Sequence, residues 1–189
     1  MPDWYIESCQ RIEYMFPKAH AVAYVMMSYR IAYYKVYFPL EFYAATFSLK
    51  VNDFDCDTIL KGIKAVEKKI CAIEDMEKSS SKKNESELTV LELAYEMYGR
   101  GFEFLKPGID TSDASMFKVV DGKLLMPLRA ISGVGENAAK AIYSANKQGP
   151  FYSIDDLTMR TKINKTAIES LRNQGVLDAI PETDQITLF

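Results

Sequence analysis

Apolar residues recur at helical spacing near the beginning of the chain. The pattern predicts a long helix over residues 18–38, because side chains three and four positions apart share one helical face. Pro17 should begin this helix and Pro39 should end it, since proline has no N–H to donate and fixes its own φ angle. The residues that form this face are His20, Tyr24, Met27, Ile31 and Tyr34.

The same spacing predicts further helices at 40–49, 57–77 and 86–99. The last of them should end near a glycine, which is the usual residue after a helix. Between the last two lies the sequence Ser-Ser-Ser-Lys-Lys-Asn at 79–84, a composition typical of a flexible linker. We therefore expect a domain boundary close to residue 85.

The period of the pattern changes further along the chain. Apolar runs at 115–120 and 123–126 flank Asp121 and Gly122, and an Asp-Gly pair between such runs is a strong signal for a β-hairpin. Helical patterns return after Pro127. The predicted fold class is therefore mainly α with a small β-hairpin (α+β).

Composition narrows the class of protein. The chain has 189 residues, of which 48% are hydrophobic and 26% charged, as in ordinary globular proteins. No stretch approaches the roughly 18 apolar residues that span a bilayer, and the first residues do not resemble a secretory signal. Three cysteines without a Cys-x-x-Cys pair, and a single histidine, predict neither a disulfide framework nor a zinc site. We expect a cytoplasmic protein without membrane contact.

Three alternating aspartates, Asp53, Asp55 and Asp57, are the remaining candidate metal ligands. A calcium-binding loop also needs a glycine and a terminal glutamate, which this stretch lacks. We therefore interpret the three carboxylates as solvated and predict neither a metal site nor a cofactor in this chain.

The distribution of charge points to a basic module. The net charge is −3, which argues at first against nucleic acid, because binding to phosphates requires Lys or Arg. Residues 129–175, however, hold seven basic and four acidic residues, whereas residues 51–100 hold eight basic and eleven acidic residues. A mildly basic region thus lies between an acidic helical region and an acidic tail at 176–189.

The most informative stretch lies at 131–142. A short helix at about 127–131 should end at Gly133, Val134 should enter a core, and a second helix should begin near Gly135. Glycines there expose backbone amides at a helix N-terminus, which suits a backbone phosphate. The alternative is a glycine-rich turn that packs two helices without a ligand. Small and apolar residues at 138, 139 and 142 favour the helix-hairpin-helix pattern h-x-G-h-G-x-x-x-A-x-x-h. The candidate DNA-contacting residues are Gly133, Val134, Gly135, Asn137 and Lys140.

A second unit of the same kind follows at 151–177. Ser153 and Asp156 have the spacing of a capping box and should begin a helix. The sequence Lys-Ile-Asn at 162–164 then replaces the glycine turn, Asn164 should cap the helix 165–174, and Gly175 should end it. A solvated helix surface is the alternative to a DNA contact. The candidate residues for direct charge contact with DNA are Lys162, Lys165 and Arg172.

Residues 185–189 read Gln-Ile-Thr-Leu-Phe after Pro181 and several acidic residues. Leu188 and Phe189 are large apolar residues in an extended tail, and Gln185 stands three positions ahead. This is the arrangement Q-h-x-L-F of a peptide that binds the bacterial sliding clamp. The alternative is that the two apolar residues fray or dock on the chain's own surface.

Lys18, His20 and Tyr24 form a third candidate site. Lys18 and His20 lie at the start of the long helix, where the helix dipole is positive, and His20 and Tyr24 share a face. They could present a charged and an aromatic group to a nucleotide. The alternative is that a single histidine on an aromatic stripe belongs to a core.

Four motifs together resemble a known family. The segments 16–24, 30–35, 133–137 and 185–189, in this order, look like the C-terminal region of PolC-type DNA polymerase III alpha subunits. The resemblance covers essentially the whole chain. It implies that Lys18, His20 and Tyr24 lie in the fingers, which close on the incoming nucleotide opposite the template. It also implies three partners, namely primer-template double-stranded DNA, the sliding clamp and, in the parent enzyme, a deoxynucleoside triphosphate.

Family members are far longer than this chain. They carry an exonuclease and a palm upstream, and aspartates of the palm hold two Mg²⁺ ions for phosphoryl transfer. We therefore expect a segment without polymerase activity of its own. The expected divisions are fingers at 1–56, a helical connector and linker at 57–85, a duplex-binding region with tandem helix-hairpin-helix units at 86–180, and the clamp-binding tail at 181–189.

Two other functional classes remain open. The chain could be a non-catalytic helical adaptor that binds a clamp or another protein without touching DNA, and salt-sensitive affinity for duplex separates this case from the first. The hairpin could also belong to a ligase or a repair nuclease. Against this, those families carry neither the motif around 17–24 nor this tail.

Overall fold

The computed structural model describes residues 1–11, 17–75 and 82–183. The chain divides into two compact units, Met1–Pro39 and Leu40–Phe189. It is mostly helical with one small sheet, so the predicted α+β class is confirmed. No helix among the described residues is both long enough and apolar enough to cross a membrane.

The first unit consists of two helices, α1 (Asp3–Arg11) and α2 (Lys18–Tyr37). The long helix begins after Pro17 as predicted, because the amides of His20 and Ala21 donate to the Pro17 carbonyl at 2.9 and 3.2 Å. No residue of α1 or α2, both of which are fully described, is buried. The aromatic face of α2 is therefore part of the surface of this unit.

Most helices of the second unit lie where the pattern places them. They are α3 (Pro39–Leu49), α4 (Cys56–Ile59), α5 (Ile63–Glu74), α6 (Lys82–Gly99), α7 (Glu136–Asn146), α8 (Ile154–Thr161) and α9 (Lys165–Asn173). Two short 3₁₀ turns, Val51–Asp53 and Leu128–Ala130, precede α4 and α7. The second of these turns occupies the position of the predicted short helix at 127–131.

Two boundaries in this region were predicted wrongly. The single helix expected at 57–77 is divided into α4 and α5 at Gly62, whose φ of 90° no helix adopts. Residues 82–84, expected in the linker, form the first turn of α6. Helical spacing of the apolar residues continues across Gly62, so the periodicity alone did not reveal the break.

A three-stranded sheet lies between α6 and α7 in the sequence. Its strands are β1 (Phe104–Leu105), β2 (Lys118–Val120) and β3 (Lys123–Leu125), in the order β1-β3-β2. The predicted hairpin pairs β2 with β3 through Asp121 and Gly122, which both have positive φ, 50° and 74°. Strand β1 pairs in parallel with β3. It has only two residues, too few for a recognisable strand pattern in the sequence.

Two hydrophobic clusters stabilise the second unit. The helical core contains residues of α3 to α6 and of the sheet, among them Tyr43, Phe47, Val66, Leu91 and Leu124. This core includes residues on both sides of positions 56 and 85, the predicted limits of the helical connector and linker. The functional division of the chain at these positions stays a prediction. The hairpin core is built mainly by α7, α8 and α9, with Val134, Ile142, Leu157 and Leu171 fully buried.

Asp55 is not a solvated carboxylate. Its Oδ1 accepts a hydrogen bond of 3.1 Å from the Thr58 amide and so caps α4, while its Oδ2 pairs with Lys69. Lys69 also pairs with Glu87 at 2.5 Å. Burial raises the pKa of the Asp55 carboxyl, but the hydrogen bonds from Lys69 and Thr58 outweigh it and hold the pKa below its ordinary value. The interpretation of this residue as solvated was therefore wrong, and its role is structural.

Candidate nucleic-acid interface

The first hairpin joins the 3₁₀ turn Leu128–Ala130 to α7. Gly133 turns the chain with a φ of 87°, Val134 is 1% exposed, and Gly135 precedes α7 with φ −70° and ψ 162°. The Val134 amide donates to the Ile131 carbonyl at 3.1 Å, which closes the turn. The buried valine thus fixes an exposed glycine on either side of it, as the sequence predicts.

The two glycines are present for different physical reasons. A Cβ on Gly133 would lie 2.3 Å from the Oγ of Ser170 on α9, so a side chain there would strain the backbone at its positive φ and would force the Ser170 hydroxyl to turn away. Gly135 has an ordinary φ, and a Cβ there would meet no atom within 4 Å. No contact within the described chain therefore requires glycine at position 135. Its effect is to leave the N-terminus of α7 open to an atom that approaches from outside.

The N-terminus of α7 provides donors for such an atom. The first bond within the helix runs from the Ala139 amide to the Gly135 carbonyl at 2.9 Å. The amides of Glu136, Asn137 and Ala138 precede that bond and have no partner within the helix. Gly135 supplies no side-chain cap. Together with the positive end of the helix dipole, these amides suit a phosphate oxygen.

The second hairpin repeats this backbone with other residues. Lys162 takes the place of Gly133 with φ 54° and ψ 30°. Ile163, 9% exposed, takes the place of Val134, and Asn164 takes that of Gly135 with φ −78° and ψ 163°. The tandem arrangement predicted from the sequence is therefore present in the backbone, although the turn at 162–164 contains no glycine.

Side chains close the helix N-termini in the second hairpin. The Oδ1 of Asn164 accepts a hydrogen bond of 2.9 Å from the Ala167 amide and caps α9, as predicted. Ser153 caps α8 by accepting from the Asp156 amide at 3.0 Å, also as predicted. The reciprocal bond of this capping box comes from the Tyr152 amide rather than from Ser153 itself. The helices after the two hairpin turns thus differ, because α9 is capped by a side chain and α7 is not.

A groove of about 350 Å³ lies between the two hairpins. Gly135, Asn137 and Ala138 line it on one side, and Thr161, Lys162 and Asn164 line it on the other. The structure therefore brings Gly135 and Asn137 of the first predicted site close to Lys162 of the second. Both hairpins face the same groove, as required for a shared ligand.

Comparison with known proteins agrees with this geometry. Residues 101–186 match a protein-family model described as a helix-hairpin-helix motif. The whole chain aligns with proteins named DNA polymerase III PolC-type, with 49% identity to that of Clostridium perfringens and 48% to those of Thermotoga maritima and Halalkalibacterium halodurans. The resemblance to PolC-type DNA polymerase III is thereby confirmed. The chain spans about 13–14% of the length of these curated relatives.

The basic residues of this PolC-like hairpin region are not equally available to a ligand. Lys162 and Lys165 are exposed and, within the described part of the chain, form no ion pair. Lys140 pairs with Glu136 at 2.5 Å on the surface of α7, and its hydrogen bond holds the pKa of that carboxyl below the ordinary value. Arg172 pairs with Glu182. Of the predicted cationic contacts, Lys162 and Lys165 are thus the ones best placed to meet phosphate.

Two arginines of this region have roles that the charge count did not reveal. Arg160 donates to the carbonyls of Ala145, Gly149 and Pro150, the last two at 2.9 Å, and stabilises the loop between α7 and α8. Arg129 donates to the Val134 carbonyl at 2.9 Å and to Asn52 Oδ1 at 2.9 Å. Sequence spacing contains no signal for these contacts, because their acceptors are backbone carbonyls and a distant side chain.

The other motifs of the PolC resemblance lie away from the hairpins in the sequence. Lys18, His20 and Tyr24 belong to the first unit, where the rings of His20 and Tyr24 are in contact, with centroids 4.5 Å apart. His20 and Tyr24 share one helical face, as predicted, and Tyr24 is 64% exposed. Residues 185–189, with Gln185, Leu188 and Phe189, lie outside the described residues.

Proposed function

We propose that this chain holds the backbone of double-stranded primer-template DNA within a replicative DNA polymerase, through its tandem hairpins. One observation supports this most directly: Gly135 leaves open space at the uncapped N-terminus of α7, inside a helix-hairpin-helix motif. The amide of Gly135 and the amides of residues 136–138 donate to the oxygens of one phosphate. Lys162 and Lys165 attract a neighbouring phosphate by charge.

Recognition of this kind does not depend on base sequence. Backbone amides and lysine side chains contact phosphates, whereas sequence is discriminated through base edges in the grooves. The hairpin region therefore holds product duplex at any position along the template. This suits an enzyme that must copy every sequence.

A substitution at Gly135 tests this function. We expect Gly135→Leu to weaken duplex binding at least tenfold, on the order of 1.4 kcal/mol or more, because the new side chain covers the amides. Its φ and the empty space around it tolerate a side chain, so the helical content should stay unchanged. Gly133 is unsuitable for this test, since its substitution also disturbs the packing against Ser170.

Gly99 offers a matched control. It also has open space at its Cβ position and no positive φ, but it lies at the end of α6, outside the hairpins. Gly99→Leu should bind duplex like the unmodified chain in fluorescence anisotropy. Equal affinities of the two variants would exclude the first hairpin from the DNA interface and would favour an adaptor that binds protein alone.

The remaining parts of the function concern the parent enzyme. In this proposal Lys18, His20 and Tyr24 contribute to positioning the incoming nucleotide against the template, and Gln185, Leu188 and Phe189 tether the sliding clamp. The palm of the longer protein supplies the aspartates that hold Mg²⁺ and carries out phosphoryl transfer. The 189-residue chain alone then contributes to the grip on DNA and clamp, without catalysis.

A further inference from the structure

Arg129 is fixed at both its backbone and its side chain. Its amide donates to the Ala114 carbonyl at 2.9 Å. One arm of its guanidinium donates to Asn52 Oδ1 and the other to the Val134 carbonyl, both at 2.9 Å. The planar guanidinium therefore links the 3₁₀ turn Val51–Asp53 to the middle residue of the first hairpin turn.

The Val134 carbonyl belongs to the same peptide unit as the Gly135 amide. The described chain contains no cis peptide bond, and in a planar trans peptide the C=O and the N–H point in opposite directions. When Arg129 holds the Val134 carbonyl, it therefore also sets the direction of the Gly135 N–H, which points away from the guanidinium. We propose that Arg129 is a positioning residue that aims the Gly135 amide at the DNA phosphate; the inference rests on the function proposed above.

Charge strengthens the same arrangement. A cation that binds a carbonyl polarises the peptide, so the N–H of that peptide becomes a better donor. The field of Arg129 also reaches the start of α7. The pKa of Glu136 is lowered chiefly by the hydrogen bond from Lys140, and the charge of Arg129 makes a smaller contribution in the same direction. Arg129 thus acts on both the geometry and the strength of the donor.

The salt dependence of binding distinguishes positioning from direct contact. Each cationic side chain that meets a phosphate contributes about 0.9 to the slope of log affinity against log salt, whereas a neutral amide contributes nothing. We expect Arg129→Met in the 189-residue chain to weaken duplex binding by roughly five- to tenfold at each salt concentration. Its slope should stay unchanged. Lys165→Met is the matched control and should lower the slope by about 0.9. A lower slope for Arg129→Met would overturn the inference, because Arg129 would then contact phosphate itself.

A double-mutant cycle distinguishes positioning from a general loss of structure. With Gly135→Leu already present, Arg129→Met should cause less than about a twofold further loss, because the amide that it aims is already covered. A full further loss would show that Arg129 only stabilises the fold. Arg129→Lys keeps one donor for the Val134 carbonyl and should recover at least half of the logarithmic loss.

A milder variant covers the case in which Arg129→Met does not fold. Asn52 is exposed and holds the second arm of the guanidinium, so Asn52→Ala should weaken binding by about two- to threefold without a change in slope. Unchanged affinity in Asn52→Ala would overturn the inference. If Gly135→Leu itself has no effect, the proposed DNA site fails; if Gly135→Leu weakens binding and the Arg129 variants do not, the positioning role alone fails.

Discussion

The two hairpins have nearly the same backbone but different chemistry at the helix that follows. Gly135 and Asn164 share φ and ψ within about ten degrees, −70° and 162° against −78° and 163°. Asn164 caps α9 with its own side chain, whereas α7 has no side-chain cap. The hairpin fold alone therefore does not create an anion site. The residue at the N-cap decides whether the first amides of the helix can donate to a ligand.

The turn positions differ in a complementary way. Gly133 is confined by Ser170 and by its positive φ. Lys162 adopts φ 54° with a side chain present, at a strain on the order of 1 kcal/mol. The Lys162 side chain places a positive charge beside the groove. The first hairpin thus offers backbone donors, and the second offers charge.

The largest expected effect concerns the stability of the first turn. Gly133→Ala should lower the free energy of unfolding by about 1–3 kcal/mol, because the new Cβ adopts a positive φ and the Ser170 hydroxyl must turn away from it. Lys162→Gly should leave it unchanged or raise it by up to about 1 kcal/mol, since glycine relieves the strain. Urea denaturation of both variants measures the difference.

Ser170 provides the control for this prediction. Adding Ser170→Ala to Gly133→Ala removes the oxygen that would lie 2.3 Å from the new Cβ, so part of the lost stability should return. If Gly133→Ala were as stable as the unmodified chain, the turn would differ from the one described. If the second substitution restored nothing, backbone strain alone would account for the loss.

The second prediction concerns a substitution that gives the second hairpin the glycine that the first has at the corresponding position. Asn164→Gly removes the cap but opens the α9 amides, so duplex affinity should rise by about threefold, the value of one net hydrogen bond. The cost in stability should be a few tenths of a kcal/mol, because glycine is tolerated at this position. Fluorescence anisotropy with labelled duplex measures the gain.

Asn164→Ala distinguishes the effect of exposing the α9 amides from the effect of losing the side-chain cap. It also removes the cap, but it places a methyl group at the helix N-terminus and should cost about 1 kcal/mol of stability. We expect no gain in duplex affinity from it. An equal gain in the alanine and glycine variants would show that Asn164 itself obstructs DNA and that the amides of α9 are not involved.

Sequence reasoning succeeded where local backbone demands decide the structure. The Gly-Val-Gly turn, the caps by Ser153 and Asn164 and the Asp-Gly hairpin each depend on a few neighbouring residues, and all are present as predicted. The sequence did not reveal contacts between residues that are distant in the chain. Asp55 was assigned to solvent because its partner Lys69 lies on another helix.

The arginines of the hairpin region illustrate the same limit. Arg160 was counted among the seven basic residues of 129–175, although it stabilises a loop through three backbone carbonyls. Arg129 entered the same count and instead bridges the 3₁₀ turn Val51–Asp53 and the first hairpin turn. A count of charges does not show how each side chain is oriented. The orientation determines which of the basic side chains can contact a phosphate.

The smallest effect on duplex affinity is expected at the tail. The chain before it is fixed on α8, because the amides of Ile154 and Asp155 donate to the carbonyls of Pro181 and Glu182 at 2.9 and 3.2 Å. Deleting 185–189 leaves these contacts in place and removes no positive charge. Duplex affinity should therefore change by less than about twofold.

Clamp binding, in contrast to duplex affinity, should be lost when residues 185–189 are deleted. Leu188 and Phe189 would contribute roughly 1.5–3 kcal/mol each if fully buried in a clamp pocket, so their joint change to alanine should abolish clamp capture in a pull-down. Thr187→Ala, at the variable position of the same peptide, is the matched control and should be captured normally. Capture of the deletion variant would refute the clamp assignment. A large loss of DNA affinity on deletion would show instead that the tail packs against the hairpins, and the hairpin core would then include residues beyond Thr183.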